Sequence, residues 1–233
     1  MTSYPGKIGV DAHGTTMGKD ERVFTYFAVE RAILARLPSG ARILDLGCSD
    51  GSHMDRLGSG GSVVGVDVSL PQLLQAREIA PVVAGVGECL PFGPDSFDLV
   101  YVSHVLHHAS DHREVLREIR RVLKPGGVAF IVETCEDSPV MRLARTLRPE
   151  WDSVPVRSRF RFGHLVSDLS RAGFEIETRE QFNVLYWIWA FGKARFRPLA
   201  GLLEPVIRAE LFASRRLSKY SAYGYVVAIK SSV

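Results

Sequence analysis

The chain has 233 residues and a net charge of +3, with 46% hydrophobic and 24% charged residues, and its mean hydropathy is +0.04. These values are typical of a globular protein and exclude a disordered or fibrous chain. The first 19 residues lack the charged and then apolar pattern of a secretion signal, and the longest apolar run, 184–191, is far shorter than the ~20 residues of a membrane-spanning helix. We therefore expect one cytoplasmic α/β domain.

The charge is unevenly distributed. Residues 1–138 contain 13 Lys/Arg and 18 Asp/Glu, whereas residues 139–233 contain 16 and 8. A basic surface can attract phosphates, anionic lipid or nucleic acid, but a solvated helix face produces the same count. The three cysteines, Cys48, Cys89 and Cys135, have neither the spacing of a zinc site nor the density of a disulfide scaffold, so we expect no metal site.

Apolar runs alternate with helical patterns through the first half of the chain. Buried strands are predicted at Ala41–Leu46, Val63–Val68, Val82–Ala84, Phe97–Val102 and Gly127–Glu133. Helices are predicted at Gly51–Leu57, Pro71–Ile79 and Asp111–Leu123, the last with Val115, Leu116, Ile119, Val122 and Leu123 on one face. Such alternation predicts a parallel sheet covered by helices on both faces.

The regular alternation of strand and helix patterns ends after Pro139. A helix is predicted at Phe162–Ala172, followed by strands at Phe174–Thr178 and Tyr223–Lys230. The segment between the last two strands mixes aromatic, aliphatic and basic residues, including Tyr186, Trp187, Trp189, Phe191, Lys193, Arg195 and Arg197. It is either a wall of an apolar pocket, a contact with a membrane surface, or part of the core.

The segment Ile43–Gly51 (ILDLGCSDG) contains the strongest functional signal. Glycines in a strand-to-helix turn let a ligand approach the backbone, and the N-terminus of the helix presents unpaired N–H groups. Asp67 ends the second strand, where a carboxylate can accept hydrogen bonds from both hydroxyls of an adenosine ribose. The two turns therefore predict a site for a nucleoside.

With these motifs the chain resembles the class I S-adenosylmethionine (SAM)-dependent methyltransferases, and in particular the group that includes ubiquinone and menaquinone C-methyltransferases. The family's acidic-x-Gly-x-Gly-x-Gly motif is matched by Asp45, Gly47 and Gly51, with Ser49 in place of the middle glycine. We expect that replacement to be mild if the backbone at Ser49 avoids positive φ. Glu88–Phe92 (ECLPF), Ser96–Val100 (SFDLV) and Lys124–Gly127 (KPGG) match further family motifs.

The resemblance implies a Rossmann-like, doubly wound seven-stranded sheet, mostly parallel with an antiparallel last strand, and a late helical insertion. It implies a single domain over residues 1–233, with an N-terminal helical cap (1–38), a SAM-binding core (39–137), the remainder of the sheet (138–182), a helical and aromatic insertion (183–222) and the last strand (223–233). It also implies that SAM is the cofactor, with S-adenosylhomocysteine as the product. The implied cofactor-binding residues are Asp45, Gly47, Cys48, Ser49, Gly51, Asp67, Val68, Val86, Gly87, Glu88, Ser103 and His104.

Three histidines follow the fourth strand in Ser103–His108 (SHVLHH), the segment that resembles the part of the family passing beneath the methionine end of the cofactor. His107 and His108 are candidate catalytic bases, because imidazole accepts protons near neutral pH. Otherwise these histidines line the cavity or cap a helix. A methyl sulfonium is already activated, so many methyl transfers need only alignment and desolvation.

The expected reaction is methyl transfer to an oxygen or carbon of a small-molecule or lipid-like acceptor. The N-terminal helix candidate Phe24–Leu34 either covers the cofactor or packs on the sheet, and residues 184–219 are a candidate for peripheral membrane contact. Two alternatives stay open: a SAM-binding accessory or membrane-associated protein without catalysis, and a nucleic-acid or protein methyltransferase. No nucleic-acid-binding module is recognisable in the sequence.

Overall fold

The computed structural model describes residues 26–147, 157, 161–184 and 203–231. Its strands are β1 (Arg42–Leu46), β2 (Ser62–Asp67), β3 (Val82–Ala84), β4 (Phe97–Ser103), β5 (Leu123–Thr134), β6 (Phe174–Phe182) and β7 (Tyr223–Lys230). Its helices are α1 (Tyr26–Arg36), α2 (Met54–Leu57), α3 (Leu70–Ala76), α4 (His112–Val122), α5 (Pro139–Leu147), α6 (Phe162–Arg171) and α7 (Leu203–Arg216).

The seven strands form one sheet in the order β3-β2-β1-β4-β5-β7-β6. Neighbouring strands from β3 to β5 are parallel, and β7 runs antiparallel to both β5 and β6. The expected α/β fold, mostly parallel with an antiparallel last strand, is confirmed. The strand order reverses between β1 and β4, and in open α/β sheets ligands bind at the carboxyl ends of the strands at this point.

Both faces of the sheet are covered, and successive residues of each central strand face opposite sides. In β5, Phe130 and Val132 belong to the hydrophobic cluster that includes residues of α1, α2 and α3. Ala129 and Ile131 belong to the cluster that includes residues of α4 and α6. The strands therefore read as continuous apolar runs because both faces are buried.

Most predicted elements lie within a few residues of the observed ones. The five apolar positions predicted for one face of α4 and its end are all buried, and Asp111 caps this helix by accepting a hydrogen bond from the backbone N–H of Arg113 at 2.9 Å. Strand β6 extends to Phe182, past the predicted end at Thr178, because it pairs with β7 along its whole length. Helix α5 was not predicted.

The predicted insertion contains helix α7, whose Pro205 lies in the first turn, where a missing N–H is tolerated. The aromatic and basic residues from Tyr186 to Arg197, and residues 1–25 including Phe24, lie outside the described residues. Among the residues that are described, no helix is long and apolar enough to cross a membrane.

Candidate active site

A cavity of about 760 Å³ lies at the carboxyl ends of β1, β2 and β4, within the size range of small-molecule sites. Ten of the twelve expected cofactor-binding residues lie on its wall. They are Gly47, Cys48, Ser49, Asp67, Val68, Val86, Gly87, Glu88, Ser103 and His104.

The turn after β1 depends on Gly47. Its φ of 76° is in the left-handed region, and a Cβ built on it would lie 2.2 Å from Cγ2 of Val105. Its N–H donates to the carbonyl of Val66 at 2.7 Å, which ties the turn to β2. A side chain at this position would collide with the loop after β4, so the contact between the two segments requires glycine.

Ser49 does not meet the condition under which its replacement of glycine would be mild. Its φ is 50°, so the serine occupies the left-handed region in which an L-residue is strained by about 1–2 kcal/mol. In this conformation the N–H of Ser49 donates to Oδ2 of Asp67 at 2.9 Å.

Asp67 joins the turns after β1 and β2. Its Oδ2 accepts from Ser49, and its Oδ1 accepts from the N–H of Ser69 at 2.8 Å. These bonds orient the carboxylate, and each oxygen keeps acceptor capacity for a ligand because a carboxylate has about four lone-pair sites. The arrangement suits a pair of vicinal hydroxyl donors in the cavity.

Two expected cofactor residues, Asp45 and Gly51, do not lie on the cavity wall. Gly51 instead faces α3, where an added Cβ would lie 3.0 Å from Cα of Ala76, and its φ is 84°. Asp45 is 1% exposed. Burial raises the pKa of this carboxyl to about 7, although the charge of Arg56 opposes the shift. Both residues therefore support the turn on the side that faces away from the cavity.

The outer part of the cavity presents apolar side chains and backbone. Val68 is 70% exposed and Val86 is 47% exposed, although both are apolar. Glu88 is anchored because its Oε1 accepts from the N–H of Ser110 at 2.8 Å. Exposed apolar groups beside a cavity are surfaces that a flat aromatic ligand can cover.

The structure separates the three histidines after β4. His104, with a φ of 58°, and His108 lie on the cavity wall. His107 does not, because its ring is 1% exposed and its Nδ1 lies 2.7 Å from Oε2 of Glu133. The rings of His107 and His108 are 3.9 Å apart between centroids. Of the two candidate bases, the structure therefore places His108 at the cavity and His107 behind it.

Several residues of the site were not assigned to it from the sequence. The cavity wall also includes Tyr26 of α1, Phe182 of β6, Tyr223 of β7 and Arg157. Tyr26, in the helix candidate with two possible roles, lines the cavity and also packs in the core beside its neighbour Phe27. No local signal marks Phe182 or Tyr223, since they reach the cavity through the pairing of β6 and β7.

Two kinds of chemistry have no support here. Burial, together with the nearby carboxylates, raises the pKa of the Cys48 thiol to about 12, so a thiolate nucleophile is disfavoured at neutral pH. Within the part of the chain that the structure describes, no three His, Cys, Asp or Glu side chains are grouped as metal ligands.

The fold and the cavity define an α/β domain with a nucleoside-type site at the reversal of strand order. Residues 44–131 match a family model described as a methyltransferase domain. This segment of the chain is therefore similar to a methyltransferase domain.

Individual proteins show the same similarity. The chain is 38% identical over 114 residues to the demethylmenaquinone methyltransferase of Corynebacterium kroppenstedtii, which covers 48% of this chain and 49% of that protein. It is 34% identical over 147 residues to the trans-aconitate 2-methyltransferase of an Azoarcus species, covering 57% of each. The chain thus spans about half the length of the curated relatives it matches. A solved SAM-dependent methyltransferase of Mesorhizobium loti has a TM-score of 0.60 and 25% identity, covering 85% of this chain and 96% of that one.

Proposed function

We propose that this chain binds SAM and transfers its methyl group to an oxygen or carbon of a small-molecule or lipid-like acceptor. The observation that carries the proposal is Asp67, whose two carboxylate oxygens are each held by a backbone N–H at the wall of the cavity. A carboxylate at the end of the second strand is placed to accept both hydroxyls of an adenosine ribose.

The cofactor end of the cavity is assigned to the turns after β1, β2 and β3. Val68 and Val86 supply apolar surface for the adenine ring, and the backbone at Gly47, Cys48 and Ser49 borders the amino acid part. Gly87 allows the backbone after β3 to lie close to α4, because an added Cβ would be 3.1 Å from Cγ1 of Val115. The residues present thus fit the cofactor, which when bound supplies an electrophilic methyl group on a sulfonium.

The acceptor end is assigned to the aromatic and histidine-rich part of the cavity. Tyr26, Phe182 and Tyr223 provide apolar surface that excludes water from an acceptor. His108 is at the cavity wall, so it is the histidine that can remove a proton from an acceptor hydroxyl or acidic carbon. His107 has no direct contact with that space and acts through its neighbours.

The names of the relatives support a small acceptor. One is named for a menaquinone precursor and another for trans-aconitate. These two acceptors, an apolar quinone and a small acid, differ widely in polarity. The shared domain therefore supports the reaction class, while the acceptor depends on residues outside the matched segment.

The test is calorimetric titration of the protein with S-adenosylhomocysteine. Replacing Asp67 by Ala is expected to weaken binding by about 1–3 kcal/mol, since the ribose hydroxyls lose their acceptor. Asp55→Ala is the matched control, because Asp55 is exposed on α2, and it should leave the affinity unchanged.

Binding that weakens only in Asp67→Ala justifies an acceptor screen with quinones, phenols and carboxylic acids, in which release of S-adenosylhomocysteine reports turnover. Absence of binding by the unaltered protein contradicts the proposal. Binding without turnover on any acceptor favours the non-catalytic, SAM-binding alternative.

A further inference from the structure

Glu133 is a buried acidic residue at the end of an apolar strand. It is 0% exposed and follows five buried apolar residues of β5, from Val128 to Val132. A buried carboxylate is costly unless hydrogen-bond donors surround it. Glu133 does not line the cavity. Its burial must therefore be explained by its hydrogen-bond partners.

The donors come from the loop after β4. Oε1 of Glu133 accepts from the backbone N–H of Val105 at 2.8 Å and of Leu106 at 2.6 Å. Oε2 lies 2.7 Å from Nδ1 of His107 and accepts from the N–H of Thr134 at 3.3 Å. A single side chain thus holds three consecutive residues of the loop.

These contacts determine which nitrogen of His107 carries a proton. Both oxygens of Glu133 already accept backbone N–H groups, and a carboxylate can only accept hydrogen bonds. Nδ1 of His107 must then be the donor, so the neutral ring has its proton on Nδ1 and its lone pair on Nε2.

The loop that Glu133 holds borders both ends of the cavity. Cγ2 of Val105 occupies the space beside Gly47, where an added Cβ would lie 2.2 Å from it. The ring of His107 packs on that of His108, with centroids 3.9 Å apart, and His108 lies on the cavity wall. The position of the Val105–His107 backbone therefore affects the glycine turn on one side and His108 on the other.

We propose that Glu133 is a positioning residue that fixes the proton of His107 on Nδ1 and holds the loop after β4 against the cofactor turn. The first part stands on the hydrogen bonds alone. The second part rests on the proposed function, because it is expressed through cofactor affinity. Glu133 itself touches neither substrate nor cofactor and acts through Val105 and His107.

The first experiment is Glu133→Gln with nitrogen-15 NMR of the histidine rings. The glutamine oxygen can still accept from Val105 and Leu106, but its amide group donates to Nδ1 of His107 and so moves the ring proton to Nε2. We expect protonated Nδ1 in the unaltered protein and unprotonated Nδ1 in the variant. A general loss of packing would not interchange the two nitrogens.

The control is Glu136→Gln. Glu136 is a neighbouring buried glutamate whose Oε1 accepts from the hydroxyl of Thr134 at 2.6 Å, and this change should leave the His107 signals as they are. An unprotonated Nδ1 in the unaltered protein, or the same protonation in Glu133→Gln, would overturn the assignment.

The second experiment measures affinity for S-adenosylhomocysteine by calorimetry. Glu133→Gln should keep the dissociation constant within about twofold, whereas Glu133→Ala, which removes every acceptor, should raise it roughly tenfold or more. Unchanged affinity in a folded Glu133→Ala protein would refute the loop-holding role. If Glu133→Ala does not fold, the affinity of Glu133→Gln tests the role instead. This variant retains the acceptor for the backbone N–H groups, so a rise of about tenfold in its dissociation constant would contradict the loop-holding role.

The two proposals fail in different ways. Absence of binding by the unaltered protein counts against the proposed function and against the loop-holding role. The protonation of His107 in the Gln variant still decides the Glu133–His107 contact, since that measurement needs no ligand.

Discussion

Two buried carboxylates lie on strands of the same sheet in different surroundings. Glu133, at the end of β5, accepts three backbone N–H groups and contacts the His107 ring. Asp45, in β1, has its Oδ2 buried with no hydrogen-bond partner among the described residues. The first holds a loop at the candidate site, whereas the second precedes the glycine turn and has a pKa raised by burial to about 7.

The comparison teaches that burial alone does not determine the role of an acid. The loop after β4 supplies hydrogen-bond donors to the oxygens of Glu133, and these bonds anchor the loop. Without such donors, Asp45 is stabilised in its neutral form.

Asp45→Asn tests the buried acid whose Oδ2 has no hydrogen-bond partner among the described residues. Because the native state raises the pKa of Asp45 from 3.8 to about 7, the contribution of this group to stability is complete below pH 3.8 and is lost as the pH rises to about 7. The loss is at most about 4 kcal/mol. We expect Asn to remove this part of the pH dependence, as measured by urea unfolding at about pH 5 and about pH 8.

Asp98→Asn is a control with the opposite sign. Although burial opposes it, hydrogen bonds from the N–H of Arg42 and from Lys124 lower the pKa of Asp98. This group stabilises the native state at neutral pH, and that contribution is lost as the pH falls through its native pKa. Parallel pH profiles for the two variants would contradict the contrast between them.

Gly47→Ala tests the contact between the glycine turn and the loop that Glu133 holds. The new Cβ would combine a positive φ with a 2.2 Å approach to Val105, and we expect a loss of about 3 kcal/mol in the free energy of unfolding. Gly126→Ala is the matched control, since Gly126 has a φ of 74° and nothing within 4 Å of an added Cβ. It should cost only about 1 kcal/mol.

Equal losses of unfolding free energy in the two alanine variants would mean that the loop moves away from the turn freely. Glu133 would then hold the loop less firmly than its hydrogen bonds indicate. Urea unfolding with S-adenosylhomocysteine absent and present separates the stability of the turn from the affinity of the site.

Ser49→Gly tests the strain within the turn. Since Ser49 has a φ of 50°, glycine should increase the free energy of unfolding by about 1 kcal/mol, less the extra entropy of the unfolded glycine. The N–H that bonds Asp67 is retained, so affinity for S-adenosylhomocysteine should change by less than about twofold. A decrease in stability would show that the serine hydroxyl stabilises the turn more than the strain destabilises it.

Elements with a local signal could be predicted. The apolar runs of β1, β2 and β4 and the one-sided pattern of α4 follow from burial, because a residue buried in a parallel sheet or on a helix face must be apolar. The full length of β6 could not be predicted, since its last four residues pair with β7 from a distant part of the sequence. The division of the whole chain into one domain with a late insertion stays a prediction.

The residues of the site likewise include some with a local sequence pattern and some without one. The glycine turn and Asp67 have a short-range pattern in the sequence, and Gly47 and Asp67 lie on the cavity wall. Arg157, Phe182 and Tyr223 reach the cavity from later segments and have no pattern of their own. A charged residue inside the apolar run of β5 was a signal for Glu133, but nothing in the sequence indicated that its partners are in the loop after β4.

Most strands and helices of the first half of the chain, the nucleoside-type turn and the resemblance to a methyltransferase family could be inferred from the sequence, because they depend on neighbouring residues and on periodic burial. The three-dimensional structure was needed to show that His108 and not His107 lies at the cavity, that Asp45 and Gly51 lie off its wall, and that Ser49 has a positive φ. Each of these depends on a contact between segments far apart in the chain, such as Val105 on Gly47 and Glu133 on His107. The spacing of residues along the sequence does not indicate such contacts.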